Sequence, residues 1–162
     1  MKGSYNNSRA TDEFFKADAS GNLWGCTGDI GYVDEDGFVF VLGRASECFL
    51  TPDGGKVYLF DIENVLLQDE AVSMCKVVDV EAGSVTAPVA HIVLSESGRE
   101  STEATLRRLD ALCREQLAEY AVPVAYKFRT DFPVKPSGKR DAEALRNERD
   151  GFLNTHGEAV AL

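Results

Sequence analysis

The chain has 162 residues, with 27 acidic against 17 basic side chains, a net charge of −10 and a pI near 4.7. This length suits one ordinary domain with an additional subdomain. The acidic balance argues against non-specific nucleic-acid binding, which requires a basic face. The apolar runs are much shorter than a membrane-spanning helix and no charged-then-apolar leader begins the chain, so we expect a cytoplasmic protein without a membrane span.

The first part of the chain is polar and predicts little regular structure before a β-hairpin. One short helix is predicted over Ala10–Lys16. The alternating pattern over Leu23–Leu42 then predicts a hairpin with its turn at Asp34-Glu-Asp-Gly37. Asp-Gly supplies the positive-φ position that a tight reversal needs.

A second unit is predicted to begin at Ala45. Cys48–Leu50 and Lys56–Tyr58 flank Thr51-Pro-Asp-Gly-Gly55, a strong turn signal, and predict a small hairpin. Strands and helices alternate after it and predict an α+β fold, with a small mixed sheet of about three strands flanked by helices. The elements predicted are a helix capped by Asp61 and ending near Gln68, strands at Val72–Val80 and Ala87–Leu94 joined by the loop Glu81–Ser84, a helix over Ser101–Tyr120 capped by Ser101, a strand at Tyr126–Thr130, a helix from Asp141 to about Arg149, and a mobile tail after Gly151.

The cysteines and histidines predict no metal site. Cysteines occur at positions 26, 48, 75 and 113 without C-x-x-C spacing, and His91 and His156 lie far apart in the sequence. Buried, reduced thiols are therefore expected.

One lysine, Lys139, follows a glycine in the loop Pro133-Val-Lys-Pro-Ser-Gly-Lys139. A lysine on a glycine turn can present a mobile point charge to phosphate or carboxylate oxygens. About a hundred residues earlier, Thr27-Gly-Asp29 and Gly43-Arg44 bracket the predicted hairpin. Each pattern alone also has an ordinary explanation, as an exposed loop, a turn acid or a solvated cation at a strand end.

Five motifs in a fixed order make the pattern specific. They are Met1-Lys-Gly-Ser-Tyr-Asn-Asn7 with Ala10-Thr11, Trp24-Gly-Cys-Thr-Gly-Asp29, the hairpin from Gly31 to Arg44, Asp61-Ile-Glu63, and Gly138-Lys139. Together they resemble the carboxy-terminal portion of the acyl-adenylate-forming enzymes: the acyl-CoA synthetases, the luciferases and the adenylation domains that load carrier proteins. The resemblance covers almost the whole chain.

The resemblance implies a division of the chain into three parts. Residues 1–44 would be the end of a large N-terminal adenylation domain, 45–150 a mobile C-terminal lid and 151–162 a tail. The family's large domain carries a phosphate loop, the acyl pocket and the acid that holds Mg²⁺. Here Asp53-Gly54-Gly55 is the nearest approach to such a loop, and it lacks the hydroxyl run. The chain alone is therefore expected to be inactive, with the adenylation domain as its missing partner.

The resemblance also implies roles for individual residues. Lys139 would be the catalytic lysine, contacting ATP and the acid, with Lys135 as a rival in the same loop. Asp29 would bind the ribose hydroxyls of ATP, and Arg44 would contact the nucleotide beside that ribose. Ser46 would stand at the hinge position, where the family commonly has Asp or Lys, with Glu47 as the alternative if the alignment shifts by one residue.

The turn Gly54-Gly55-Lys56 looks like the loop that lines the pantetheine tunnel for CoA, although a plain hairpin turn explains it equally well. The implied enzyme is an acid–CoA ligase that uses ATP with Mg²⁺, forms acyl-AMP from a carboxylic acid, and passes the acyl group to CoA. A stand-alone module that binds a nucleotide or a partner is the alternative, as is an adenylation domain that serves a carrier protein.

Overall fold

The computed structural model describes residues 3–82, 85–96 and 102–160. The chain forms two compact units, Met1–Ser46 and Glu47–Leu162. No helix in the described residues is long and apolar enough to cross a membrane. The roles expected for the parts of the chain, as the end of a larger domain, a lid and a tail, stay predictions.

The first unit consists of one helix and two hairpins. Its elements are α1 (Ser8–Phe14), β1 (Phe15–Ala17), β2 (Leu23–Gly25), β3 (Asp29–Val33) and β4 (Val39–Arg44). β1 pairs with β2 and β3 pairs with β4, so the single hairpin predicted over Leu23–Leu42 is wrong at its start. The turn at Asp34–Gly37 is confirmed: the side chain of Asp34 accepts a hydrogen bond from the amide of Phe38 at 2.8 Å.

No described residue of this first unit is buried. Its large apolar side chains are instead exposed on both hairpins: Leu23, Trp24, Tyr32, Val33, Phe38, Val39, Phe40, Val41 and Leu42. A two-stranded hairpin is marginally stable in water without a further layer against it. Phe14 and Phe15 are half-buried and pack edge to face at 4.9 Å.

The second unit is an α+β domain, as predicted. Its elements are β5 (Cys48–Leu50), β6 (Lys56–Tyr58), α2 (Leu59–Leu66), β7 (Val72–Ala82), β8 (Val85–Leu94), α3 (Thr102–Gln116), a 3-10 turn (Glu119–Ala121), β9 (Ala125–Arg129), α4 (Ala142–Arg146), β10 (Phe152–Leu153) and β11 (Ala159–Val160). β5 and β6 form the small hairpin that was predicted, with Cys48 paired to Tyr58 and Leu50 to Lys56. The main sheet has the order β11-β10-β9-β8-β7, in which β8 and β9 are parallel and the other pairs antiparallel.

The core lies on both faces of this sheet because side chains of β7 and β8 alternate between the faces. One face packs against α2 and α3 through residues such as Ile62, Leu66, Leu106 and Leu109. The other face holds Val78, Val89, Phe132, Leu145 and Phe152, and α4 packs there.

The tail is a correction to the prediction. Residues after Gly151 were expected to be mobile, but β10 and β11 extend the sheet from three strands to five. Phe152, at the start of β10, is only 1% exposed. Each of these strands has two residues, too few for a periodic pattern, and β10 joins the sheet by pairing Leu153 with Tyr126 of β9, a contact distant in sequence.

Several local predictions also needed correction. α2 begins at Leu59 with Tyr58 at its N-cap position, so Asp61 lies in the first turn and is not the cap. Glu81 and Ala82 continue β7, while the rest of that predicted loop and the capping role of Ser101 lie outside the described residues. All four cysteines are free thiols; Cys75 and Cys113 are buried as predicted, whereas Cys48 is half-buried and Cys26 is exposed.

Candidate functional site

Asp29 and Arg44 are brought together by the β3–β4 hairpin, in which they face each other across the strands. Arg44 Nη1 lies 3.1 Å from Asp29 Oδ1 and donates to the carbonyl of Thr27 at 2.5 Å. Both side chains stay substantially exposed. This pair fixes the direction of the Asp29 carboxylate while leaving it accessible to hydroxyl donors.

The residues on either side of Ser46 are bonded to different units. The amide of Ala45 donates to the carbonyl of Gly28 in the first unit at 2.8 Å. The carbonyl of Glu47 accepts from the amide of Leu59 in the second unit at 3.1 Å. Among the described residues, Ala45 makes the last backbone hydrogen bond of the first unit and Glu47 makes the first of the second. Ser46 lies between them, which is a suitable place for a hinge.

Lys139 lies in the second unit at the end of a tight turn. The amide of Lys135 donates to the carbonyl of Lys139 at 2.8 Å, and Gly138 adopts a φ of +79°. Glycine adopts this left-handed conformation without the steric cost that a side chain adds. The turn therefore presents the side chain of Lys139, which is exposed.

The two lysines of this loop differ in their partners. Lys135 Nζ lies 3.7 Å from Asp141 and 3.9 Å from Glu143. Lys139 has no ion pair or side-chain hydrogen bond within the described part of the second unit. Its charge is consequently available to an anion, whereas the charge of Lys135 is already partly balanced.

The turn of the β5–β6 hairpin carries Gly54, Gly55 and Lys56. The amide of Gly54 donates to the carbonyl of Thr51 at 2.9 Å, and Gly54 has a φ of +86°. The hydroxyl of Thr51 donates to the carboxylate of Asp53 and lowers its pKa. These bonds make a compact, exposed turn, and its two glycines leave the backbone uncovered by side chains.

A surface pocket of about 400 Å³ adjoins this hairpin. Lys56 and Tyr58 line one side, and Gln116 and Tyr120 line the other. Asp61, at the pocket, has a pKa raised by burial. Lys56 and Asp61 were singled out from the sequence, whereas Gln116 and Tyr120 were not, because the end of α3 is about sixty residues away from the hairpin and no local pattern joins the two segments.

A partly buried ion cluster follows the hinge and was also missed from the sequence. Lys76 Nζ lies 2.5 Å from Glu47 Oε2 and 3.1 Å from Glu63 Oε1, and the side chain of Lys76 is only 12% exposed. Glu63 also accepts from the amide of Val77, at the edge of the sheet, at 2.9 Å. Burial raises the pKa of Glu63; it would lower the pKa of Lys76, but the two carboxylates raise it.

Among the described residues there is no group of three or more His, Cys, Asp or Glu side chains arranged to hold a metal ion.

A search against protein-family models matches residues 61–139 to the AMP-binding enzyme C-terminal domain. The chain is 34% identical, over 157 residues, to a 2-succinylbenzoate–CoA ligase of Bacillus velezensis, an alignment that covers 95% of this chain and 29% of the relative. It is also 34% identical, over 154 residues, to a long-chain-fatty-acid–CoA ligase of Escherichia coli, covering 95% of this chain and 26% of that protein.

A solved structure gives the same relationship. The o-succinylbenzoate coenzyme A synthetase of Bacillus subtilis, in complex with AMP, superposes with a TM-score of 0.70 and 30% sequence identity, over 93% of this chain and 29% of that one. The chain thus spans less than a third of the length of these relatives.

Proposed function

Because the chain belongs to the acyl-adenylate-forming enzymes and carries their C-terminal domain, we propose that it is part of an ATP-dependent acid–CoA ligase. The observation that carries this proposal is the exposed Lys139 on its glycine turn, whose charge is unpaired in the described part of the second unit. The relatives named above are ligases of 2-succinylbenzoate and of long-chain fatty acids, so the proposed substrate class is a carboxylic acid.

In the first step, a carboxylate oxygen of the acid attacks the α-phosphorus of ATP, and the bond to the bridging oxygen breaks to release pyrophosphate. Two anions must approach each other in this step. A lysine ammonium beside both lowers their repulsion and stabilises the negative charge of the transition state. No proton transfer is required of Lys139 in this step.

The Asp29–Arg44 pair is proposed to hold the nucleotide. A carboxylate can accept hydrogen bonds from two neighbouring ribose hydroxyls. Arg44 holds Asp29 in place from the opposite strand, and its remaining N–H groups can donate to the nucleotide. The pair lies at an exposed hairpin end, where a nucleotide can reach it.

In the second step, the CoA thiolate attacks the acyl carbon and AMP leaves. We propose that the second unit turns about Ser46 between the two steps, so that Lys139 departs and the Gly54–Gly55 tip faces the site. The exposed apolar side chains of the first unit fit the proposal that a larger adenylation domain covers them. Mg²⁺, which accompanies ATP in such chemistry, is assigned to that larger domain.

The test is acid-dependent exchange of pyrophosphate into ATP by the complete polypeptide that contains these residues, over a panel of aliphatic and aromatic acids. We expect exchange with at least one acid, its loss in Lys139→Ala, and its retention in the matched control Lys135→Ala. Absence of exchange with every acid, or equal losses in both variants, would contradict the proposal. Tight ATP binding by the 162-residue chain alone would instead support a stand-alone nucleotide-binding module.

A further inference from the structure

The loop that carries Lys139 is shaped by bonds within itself. Val134 and Arg140 form an isolated antiparallel bridge, and the amide of Asp141 donates to the carbonyl of Pro133 at 2.8 Å. These contacts define the turn, but they connect only residues of the loop with one another. They do not determine where the turn lies on the domain.

Arg140, the residue after Lys139, connects this loop to the sheet. Its Nη1 donates to the carbonyl of Cys75 at 3.4 Å, and its Nη2 lies 3.7 Å from the sulfur of Met74. Both residues belong to β7, the outermost strand of the sheet. The carbonyl groups on the outer side of an edge strand have no strand partner, so an arginine can bind there.

An aromatic ring holds the same guanidinium from within the domain. The guanidinium carbon of Arg140 lies 5.0 Å from the centroid of the Phe132 ring, and Phe132 is 6% exposed. A cation above an aromatic face is attracted by the ring quadrupole, and arginine is the more frequent partner. Arg140 is thus held by three residues of different chemistry, two of them more than sixty positions earlier in the chain.

We infer that Arg140 is a positioning residue for Lys139. Arg140 binds the segment that follows Lys139 to β7. The lysine ammonium therefore moves with the sheet as part of one rigid body. This inference rests on the function proposed above for Lys139. Arg140 itself acts through the loop, while Lys139 remains the group that meets the reacting atoms.

The chain offers a matched control on the same strand. Arg146 also reaches β7, where its Nε donates to Asp79 Oδ1 at 2.8 Å. Arg146 lies in α4, outside the turn. Removing it takes away an arginine contact to β7 without changing the connection of the Lys139 loop.

The first experiment measures amide hydrogen exchange by NMR in the 162-residue chain. In Arg140→Leu we expect the amides of Lys135, Gly138 and Asp141 to exchange about tenfold faster. Arg140→Lys should keep most of the protection because its ammonium can still donate to the carbonyl of Cys75. Arg146→Leu should leave these three amides unchanged. Unchanged exchange in Arg140→Leu, or a uniform increase over the whole second unit, overturns the inference.

The second experiment separates positioning from a general structural role. In the complete polypeptide, Arg140→Leu should slow adenylation about tenfold and leave thioester formation from supplied acyl-AMP within about twofold. Equal losses in both half-reactions overturn the positioning role. If the wild-type protein adenylates no acid at all, the proposed function fails, and the exchange experiment alone then decides whether Arg140 docks the loop.

Discussion

Replacing Lys76 by methionine tests the ion cluster that fixes the residue after the hinge. Methionine keeps the length of the apolar stem but removes the ammonium that lies between Glu47 and Glu63. The side chain of Glu63 is 16% exposed and that of Glu47 32% exposed, so the variant leaves one largely buried carboxylate without a counter-charge. Removing one partner of a buried pair costs about 3–5 kcal/mol.

The second carboxylate, that of Glu47, can turn towards water, which reduces this cost. We therefore expect the free energy of unfolding to fall by about 2–4 kcal/mol in Lys76→Met. At about 3 °C per kcal/mol for a domain of this size, the melting temperature should fall by roughly 6–12 °C. Adding Glu63→Gln should recover at least half of the loss, because the amide oxygen of glutamine still accepts from Val77.

The assay is urea unfolding followed by far-UV circular dichroism. Tryptophan fluorescence is unsuitable because the single tryptophan, Trp24, lies in the first unit. Lys56→Met serves as the control for loss of one positive charge at an exposed position, and should change stability by less than about 0.5 kcal/mol. A loss below about 1 kcal/mol in Lys76→Met, or no recovery in the double variant, would show that Lys76 does not stabilise the domain as the counter-charge of Glu63.

Two other predictions address acid stability and the hinge. Burial lowers the pKa of His91 to about 4. Because Arg129 can only donate to Nδ1, Nε2 carries the proton of the neutral ring. Nε2 has no hydrogen-bond partner among the described residues. The contribution of neutral His91 to the free energy of unfolding is complete above pH 6.5 and falls by up to about 3 kcal/mol as the pH drops to 4. The difference in the free energy of unfolding between wild type and His91→Gln should follow this pH dependence. Parallel pH profiles of the two proteins would contradict it. Ser46→Pro should trap one orientation of the second unit and impair only one half-reaction, and unchanged rates in both would place the hinge elsewhere.

Local turn chemistry made part of the fold predictable. The turns at Asp34–Gly37 and Thr51–Gly55 were located from Asp-Gly and Pro-Asp-Gly-Gly alone, because positive-φ positions restrict the residue type. α3 was found from its apolar spacing, although it ends at Gln116 and is followed by a 3-10 turn. The two-residue strands β10 and β11 were missed because so short a segment has no detectable period.

Part of the geometry of the candidate site was predictable from the sequence, while the roles of its residues stay predictions. The motifs identified Asp29 and Arg44, and the structure places them opposite each other. The contacts that Lys76 and Arg140 make near the hinge and the Lys139 loop were not predictable. Lys76 lies 29 positions from its partner Glu47, and Arg140 lies 65 positions from its partner Cys75. No local pattern indicates such contacts; they arise when β7 becomes the edge of the sheet.

We propose that Lys139 serves the adenylation step alone. The most direct measurement compares the two half-reactions of the complete polypeptide in Lys139→Ala. We expect the rate of acyl-AMP formation to fall by orders of magnitude, while thioester formation from supplied acyl-AMP is largely retained. Equal damage to both half-reactions would contradict it.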